Sequence, residues 1–305
     1  MRGIIFVILA SLLFGINPSI NKIVLTRGWS SQTVLLITSL VSAFLSLGAA
    51  ARKKESFRIP FYQAAELFLI GIIGQGATSY LLLRSYAFLP VGISTFLHFF
   101  YPSIVCLFTA LIYHEELIPR KVFAMITSTA GMLFIAGSRN LSVSGTGIIL
   151  AAASSFAYAF YLIASDKWKI SSLPCTIRLF YTSIGCTLFF FIFRSGEDNK
   201  STSIYGSLFS EDFLFLFLNA ALSFLAHLFI NKAIDLLGSS KTAFINLLEP
   251  VTSLIVSSLL FHSALTPWNL LGCCLILSSA ALICRDTRTE PISVFDPVQS
   301  NWGDY

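Results

Sequence analysis

Ten apolar runs, each close to the length needed to cross a bilayer, constrain this chain more than any other feature. They fall at 3–25, 31–50, 62–83, 92–113, 120–137, 145–165, 173–193, 212–231, 240–261 and 267–284, each bounded by charges, Pro or Gly clusters. A spanning helix takes about 20 residues, so ten of them use about 200 of the 305 residues and leave only short connections and ends. That arithmetic excludes a soluble catalytic domain or a large extramembrane receptor. Composition agrees: 55% of the residues are hydrophobic, 29 are Phe and only 11% are charged, against about a quarter charged in soluble domains. The first run follows Arg2 but lacks a small-x-small cleavage site, so it reads as a retained span and not a signal peptide.

The net charge of +5 does not mark a nucleic-acid binder, because the 20 Lys and Arg are scattered at the ends of apolar runs and a basic groove needs them clustered. They act as orientation signals. The side that would hold both termini carries Arg2, Arg52, Lys53, Lys54, Arg58, Arg120, Lys121, Lys167, Lys169, Lys232, Lys241, Arg285 and Arg288, which is 13. The opposite side carries Arg27, Arg84, Arg139, Arg194 and Lys200, which is 5, and Lys22 and Arg178 lie inside spans. The bias places both termini in the cytoplasm, with the protein multi-pass in a plasma membrane, the inner one in a Gram-negative cell. Lys22, Arg84, Arg178 and Lys232 lie near span ends and are expected to snorkel to the headgroups. The six cysteines form no CxxC pairs and read as small hydrophobes, so no metal or cofactor is expected.

Sliding the chain on itself by 148 residues superposes Phe96 on Phe244, Pro102 on Pro250, His114 on His262 and Pro119 on Pro267. Leu89, Leu111 and Leu117 meet Leu237, Leu259 and Leu265, giving 7 identities across 84–119. The Pro and His pairs carry this signal, since Leu and Phe matches are common in such a composition. A shift of 148 crosses five spans, an odd number, so the second copy is upside down in the bilayer. Inverted repeats place a substrate near the midplane between the halves. The predicted fold is therefore all-α integral membrane, with ten transmembrane helices as two inverted-topology five-helix repeats. The first repeat is 1–139, the second 140–284, and 285–305, rich in Asp, Pro and Ser, is a disordered cytoplasmic tail.

Four motifs, in order and duplicated, give a family resemblance over about 3–284: Phe14-Gly15 with Asn17-Pro18, Ser155-Phe156-Ala157, Glu249-Pro250, and Glu115-Glu116-Leu117 closing span four. Together they resemble the ten-helix EamA-type transporters of the drug/metabolite transporter superfamily. The resemblance implies export or exchange of small metabolites, often amino acids or related amphiphiles. The chain departs from the family pattern at Tyr101-Pro102, where Glu-Pro is frequent, and at Ser263-Ala264, where an acidic residue would close span nine. The two halves are thus chemically unequal.

A charge at mid-bilayer costs at least about 2.5 kcal/mol, so it should face a cavity or a partner. Glu249 is the clearest case, with Thr242, Asn246 and Glu249 on one helical face. The inverted copy supplies Ser94, His98 and Tyr101. Span eight adds Asn219, Ser223, His227 and Asn231 at steps of four, span six adds Ser154, Tyr158, Tyr161 and Ser165, and span three offers Gln75. The expected substrate-binding residues are Glu249, Asn246, His98, Tyr101, His227, Asn219, Gln75, Tyr158 and Tyr161. Pro18, Pro102, Pro250 and Asn17 are expected to be gating or structural positions. Such stripes on Phe-rich and Leu-rich helices suit an amphiphilic small-molecule substrate, with protons as a candidate coupling ion through Glu249 and the histidines. The bland reading is that polar residues in bundles simply bond neighbouring helices.

The function expected is secondary transport of small neutral or zwitterionic metabolites by alternating access, as an exporter or a facilitator/exchanger. A nucleotide-sugar or sugar-phosphate antiporter is the alternative, and it would need several deep basic residues. An intramembrane CAAX-type protease is the alternative of another class. Glu115-Glu116-Leu117-Ile118-Pro119-Arg120 fits its EExxxR motif and His227 to Asn231 its HxxxN motif, but no His has Phe four residues before it. Glu115, Glu116 and Arg120 are therefore expected to serve folding or gating, and the chain is expected not to be an enzyme.

Overall fold

The computed structural model describes residues 1–136, 144–193, 211–262 and 265–285. Arg139, Asn140, Arg194, Lys200, Ser263-Ala264 and the tail 286–305, to which the sequence assigns orientation, repeat or disorder roles, lie outside the described residues. Among those described, the chain is helical with no strand. The first half comprises α1 (Arg2–Thr26), α2 (Ser31–Arg52), α3 (Phe61–Leu69) continuing through a π-helical stretch (Ile70–Ala77) into α4 (Thr78–Ser85), α5 (Val91–His98), α6 (Tyr101–Tyr113) and α7 (Pro119–Ala136). The second half comprises α8 (Gly145–Lys167), a 3₁₀ turn (Lys169–Ser172), α9 (Cys175–Ile192), α10 (Glu211–Asn246), α11 (Leu248–Phe261) and α12 (Pro267–Cys284).

Eight of these helical paths are long and apolar enough to cross a membrane, and Leu248–Phe261 is a shorter apolar helix. Gly238 (φ 78°, ψ 169°) divides α10 into a segment ending at Leu237 and one beginning at Ser239, a break that a residue without Cβ adopts most readily. With α7, the described chain makes ten crossings. Expected and observed boundaries agree to within a few residues except in span eight, which continues past Lys232 and Asp235 to Leu237. There Asp235, itself exposed, is paired with the buried Arg178.

Starts and stops follow local chemistry. Pro60, Pro90 and Pro174 immediately precede α3, α5 and α9, where their missing N–H costs nothing. Ser30 caps α2 through Thr33 N, and Thr266 forms a capping box with Asn269 at α12. The helices α6 and α11 both end on a histidine in the left-handed region, His114 at φ 55° and His262 at φ 52°. These residues are related by the 148-residue repeat, so the duplication extends to an unusual backbone conformation.

Large apolar side chains face outward: Leu111 is 74% exposed, Leu259 72% and Phe191 70%. In water this would be an aggregation surface; in a bilayer it is the lipid face. Small residues line the helix contacts instead. Helices α7 and α12 cross at Gly131 and Gly272, where a Cβ on Gly131 would lie 2.8 Å from the Gly272 carbonyl oxygen. A Cβ on Gly185 of α9 would lie 2.7 Å from the Phe68 carbonyl oxygen of α3. Gly74 packs on Tyr161 and Gly76 on Phe189, so the span-three glycines serve close packing.

Overpacking typically costs about 1–3 kcal/mol. Gly131→Val should therefore lower the thermal stability of the purified protein by that order, whereas Gly48→Val, with open space around the site, should not. Equal melting temperatures for the two variants would show that the α7–α12 crossing is looser than described.

Candidate functional site

Spans four and nine are broken at equivalent points near mid-depth. α5 ends at His98 and α6 begins at Tyr101; α10 ends at Asn246 and α11 begins at Leu248. Pro102 and Pro250 explain the position of both breaks. Each lacks the N–H that would reach four residues back, to the carbonyls of His98 and Asn246. The chain crosses the gaps with tight turns, Phe100 N to Leu97 O and Leu247 N to Phe244 O, both 3.3 Å. Pro18 behaves differently: α1 runs through it uninterrupted and it is exposed, so it opens no gap.

Asn246 joins the two breaks. Its Oδ1 accepts from Ser11 Oγ (3.0 Å), and its Nδ2 donates to Tyr101 OH (3.1 Å) and to Glu249 Oε2 (3.3 Å). One buried amide thus ties α1 and α6 of the first half to α10 and α11 of the second. Glu249 sits in the first turn of α11, where unpaired N–H groups favour a carboxylate. One turn before each break, Ser94 and Thr242 keep buried hydroxyls with no hydrogen-bond partner among the described residues. They too are related by the repeat.

A row of aromatic rings leads away from this hub. Tyr101 meets Tyr158 edge-on at 4.6 Å, Tyr158 stacks on Tyr161 at 5.7 Å, Tyr161 lies 6.2 Å from His227, and His227 meets Phe14 at 4.9 Å. His98 flanks the row, 5.8 Å from Tyr101 and 5.7 Å from Tyr158. Its Nδ1 lies 3.1 Å from Ser154 Oγ, whose one proton goes to the Ala151 carbonyl at 2.6 Å. The histidine is therefore the donor, and its Nε2 is the acceptor nitrogen. The same tautomer holds at His227, whose Nδ1 donates to the Ser223 carbonyl at 2.8 Å.

Of the residues expected at the site, Glu249, Asn246, His98, Tyr101, Tyr158, Tyr161 and His227 are brought together. Gln75, on the π-helical stretch, bonds Tyr161. Asn219 lies apart and donates to Thr38 on α2 (3.2 Å), and Asn17 donates to Ser223 (2.8 Å), both interhelical roles. Ser11 and Asp235 join the polar set without having been singled out by sequence. Asp235 continues the four-residue stripe of span eight, which is the pattern that could have found it.

Arg178 departs from expectation. It is 1% exposed and does not reach the headgroups; its Nη2 meets Asp235 Oδ2 at 2.5 Å and Cys175 Sγ at 3.1 Å. Cys175 is accordingly a polar contact and not only a small hydrophobe. Lys22 and Lys232 rest on aromatic rings, 4.0 Å above Phe261 and 5.3 Å above Phe6.

At the end of the bundle where the chain begins, a buried network joins the halves. Lys167 Nζ lies 2.7 Å from Glu115 Oε1 and 3.3 Å from Asp166 Oδ2, and Lys121 Nζ lies 3.6 Å from Glu115 Oε2. Ser240 Oγ donates to Glu115 (3.1 Å). Asp166 accepts from the N–H (2.9 Å) and hydroxyl (2.8 Å) of Ser239, capping the segment that restarts after Gly238. Burial alone would raise the Glu115 pKa. The Lys167 hydrogen bond and the charges of Lys167 and Lys121 outweigh it and hold the carboxyl below its usual range. The opposite end carries a more exposed pair, Arg27 and Asp212 at 2.6 Å, which water and salt screen.

Two inverted halves with helices broken at mid-depth around polar groups define a membrane transporter architecture. The chain belongs to the EamA-like transporter family, which matches residues 1–137 and 145–285, within the drug/metabolite transporter superfamily. It is 25% identical over 296 residues to the uncharacterized inner membrane transporter YicL of Salmonella typhimurium, covering 94% of this chain and 96% of that one. It is 26% identical over 215 residues to the uncharacterized transporter sll1319 of Synechocystis sp., covering 67% of this chain and 61% of that one. A crystal structure 17% identical in sequence shares the fold with a TM-score of 0.73, covering 92% of this chain and 96% of that one.

Removing one partner of a buried ion pair costs about 3–5 kcal/mol, so Glu115→Gln should loosen the network. Thr109 bonds Ser240, and a Thr109→Cys substitution there reports on the network. Adding Glu115→Gln should make the introduced thiol react with a water-soluble reagent severalfold faster at neutral pH. Because the folded-state pKa of Glu115 is depressed, its contribution is present above the ordinary carboxylate pKa and is lost only as pH falls through the depressed value. The thermal stability of the unsubstituted protein should accordingly hold through the ordinary carboxylate range and fall only in stronger acid. A loss of stability that begins near neutral pH and is absent in Glu115→Gln would contradict this assignment.

Proposed function

We propose that this multi-pass membrane transporter moves small neutral or zwitterionic metabolites, such as amino acids, by alternating access around the site between the two broken spans. The observation that carries this reading is the bond set of Asn246, which links the two breaks and holds Glu249 and Tyr101 at mid-depth. A substrate that competes for those bonds acts on both halves at once. The aromatic row beside it offers apolar faces and, for an ammonium group, ring quadrupoles. Glu249, Asn246, His98, Tyr101, Tyr158, Tyr161 and His227 form the proposed binding surface, with Gln75 supporting Tyr161. Pro102 and Pro250 fix the breaks.

Sugar phosphates and nucleotide sugars fit less well. Of the buried basic side chains, Lys121, Lys167 and Arg178 are each paired with a carboxylate and Lys241 is engaged as well, which leaves little positive charge for a polyanion. The protease reading loses its motif for a similar reason, since Glu115 is engaged by two lysines. Among the described residues, no three of His, Cys, Asp or Glu converge as a metal would require.

The 13-to-5 charge bias supports assigning the chain-start end, with its buried ion network, to the cytoplasm, and the inner-membrane relative supports a plasma membrane setting.

Counterflow of radiolabelled amino acids into proteoliposomes tests this reading. Glu249→Gln, Asn246→Ala and His98→Ala should each lower transport at equal protein insertion, with Glu249→Gln the most damaging, at about tenfold or more for a lost charged hydrogen-bond partner. If a proton travels with the substrate, Glu249→Gln should flatten the pH dependence more than His98→Ala. An unchanged pH profile would identify a facilitator or exchanger. Wild-type flux in all three variants would return these residues to a structural role.

A further inference from the structure

Arg178 lies in the first turn of α9, on a segment whose sequence position favours a side chain reaching water, yet it is 1% exposed. Only Nη2 is engaged, by Asp235 and Cys175. Nε and Nη1 are buried and have no hydrogen-bond partner among the described residues. An arginine carries one N–H on Nε and two on Nη1, so most donors of a permanent cation are left without an acceptor. Buried polar groups are nearly always satisfied, and exceptions call for a specific explanation.

The surroundings supply one. Tyr161, on α8, carries its hydroxyl among polar groups of α10. The hydroxyl accepts from Asn231 Nδ2 at 2.8 Å. Asn231 is one helical turn before Asp235 on α10. The cation therefore stands beside the aromatic row, at its Tyr161 end, and its unused donors share a neighbourhood with groups already assigned to the substrate surface.

We propose that Arg178 is an oxyanion subsite that takes the carboxylate of the transported molecule. This rests on the reading that the substrate is zwitterionic. A carboxylate suits the site better than a phosphate, because Asp235 already offsets one unit of charge. Lys121 and Lys167, the other buried cations paired with carboxylates, are held by Glu115 and Asp166. Arg178 and Asp235 sum to zero, so a carboxylate adds one negative charge to the site, whereas a phosphate monoester, near −2 at neutral pH, adds about two at a higher cost in a low-dielectric interior. With its carboxylate on Arg178, the apolar part of the substrate would lie along Tyr161 and Tyr158.

Cys175, whose sulfur is 3.1 Å from Arg178 Nη2, reports on this subsite without any need for transport. In full-length protein carrying Cys175 as its sole cysteine, reconstituted in nanodiscs, the rate of alkylation by neutral iodoacetamide is measured with benzoate, benzamide or inorganic phosphate. Benzoate should slow alkylation severalfold and benzamide should not. Arg178→Gln should abolish the protection, and Asp235→Asn, which removes the competing carboxylate, should lower the half-protecting benzoate concentration by about tenfold. Equal protection by benzamide, no protection at all, or protection that survives in Arg178→Gln would overturn the subsite. Stronger protection by phosphate than by benzoate would overturn the carboxylate assignment. If Arg178→Gln does not fold, an unchanged benzoate affinity in Asp235→Asn overturns the proposal alone. Benzoate protection in a protein that exchanges no amino acid would sink the zwitterion reading and leave the subsite standing, while amino-acid exchange without protection would do the reverse.

Discussion

Hydrocarbon offers no hydrogen bonds, so a chain that leaves the helix inside a bilayer must find partners for its freed backbone within the protein. This protein does so twice, at 98–101 and at 246–248, and the rest of its organisation follows from closing those two gaps. Proline sets their place, tight turns bridge them, and α1 covers the second. Gly15 makes that cover possible, since a Cβ there would come within 2.9 Å of the Glu249 carbonyl oxygen. Asn246 then spans from one gap to the other through Tyr101. The polar centre of the bundle is thus a consequence of backbone accounting as much as of any ligand.

The duplication is faithful in backbone and unfaithful in charge. Breaks, prolines, the left-handed His114 and His262, and the paired hydroxyls of Ser94 and Thr242 all recur at the 148-residue offset. The acidic residues do not. Glu249 corresponds to Tyr101, and Glu115 corresponds to Ser263. The result, among the described residues, is a carboxylate on one side of the centre and a buried ion network at one end. A symmetric scaffold permits two equivalent states; unequal charges decide which of them is favoured and what must be broken to leave it.

The architecture was legible because apolar length and charge position are direct consequences of the bilayer, and because Pro and His pairs survive in a Leu-rich background. Most of the central site was legible for a related reason: polar residues at mid-span are costly enough to be conspicuous, as Glu249 and Asn246 are. What escaped depended on tertiary partners. Arg178 resembled a snorkelling residue because nothing in its own span revealed Asp235, 57 positions later. Lys167 and Lys121 counted as orientation charges, although both turn inward to Glu115. Asn219 carried the same helical spacing as His227 but meets α2, because spacing gives a face and not the neighbour that the face meets.

The winding of that stripe shows how many neighbours hold the first segment of α10. Steps of four residues overshoot a full α-helical turn by about 40°, so Asn219, Ser223, His227, Asn231 and Asp235 spiral around the first segment of α10. Their partners change accordingly: Thr38 on α2, Asn17 on α1, the ring of Phe14 on α1 and of Tyr161 on α8, the hydroxyl of Tyr161, and Arg178 on α9. A segment bonded on so many sides does not slide alone, because any shift would break several buried contacts together. The chain is free of such bonds at Gly238, where its backbone is already non-helical, and at Leu247, where α10 gives way to α11. Between these two points, residues 239–246 carry Ser239 and Ser240 of the end network on one turn and Thr242 and Asn246 of the centre on the next two. This short segment therefore joins the buried ion network at the end of the bundle to the polar centre through its own side chains.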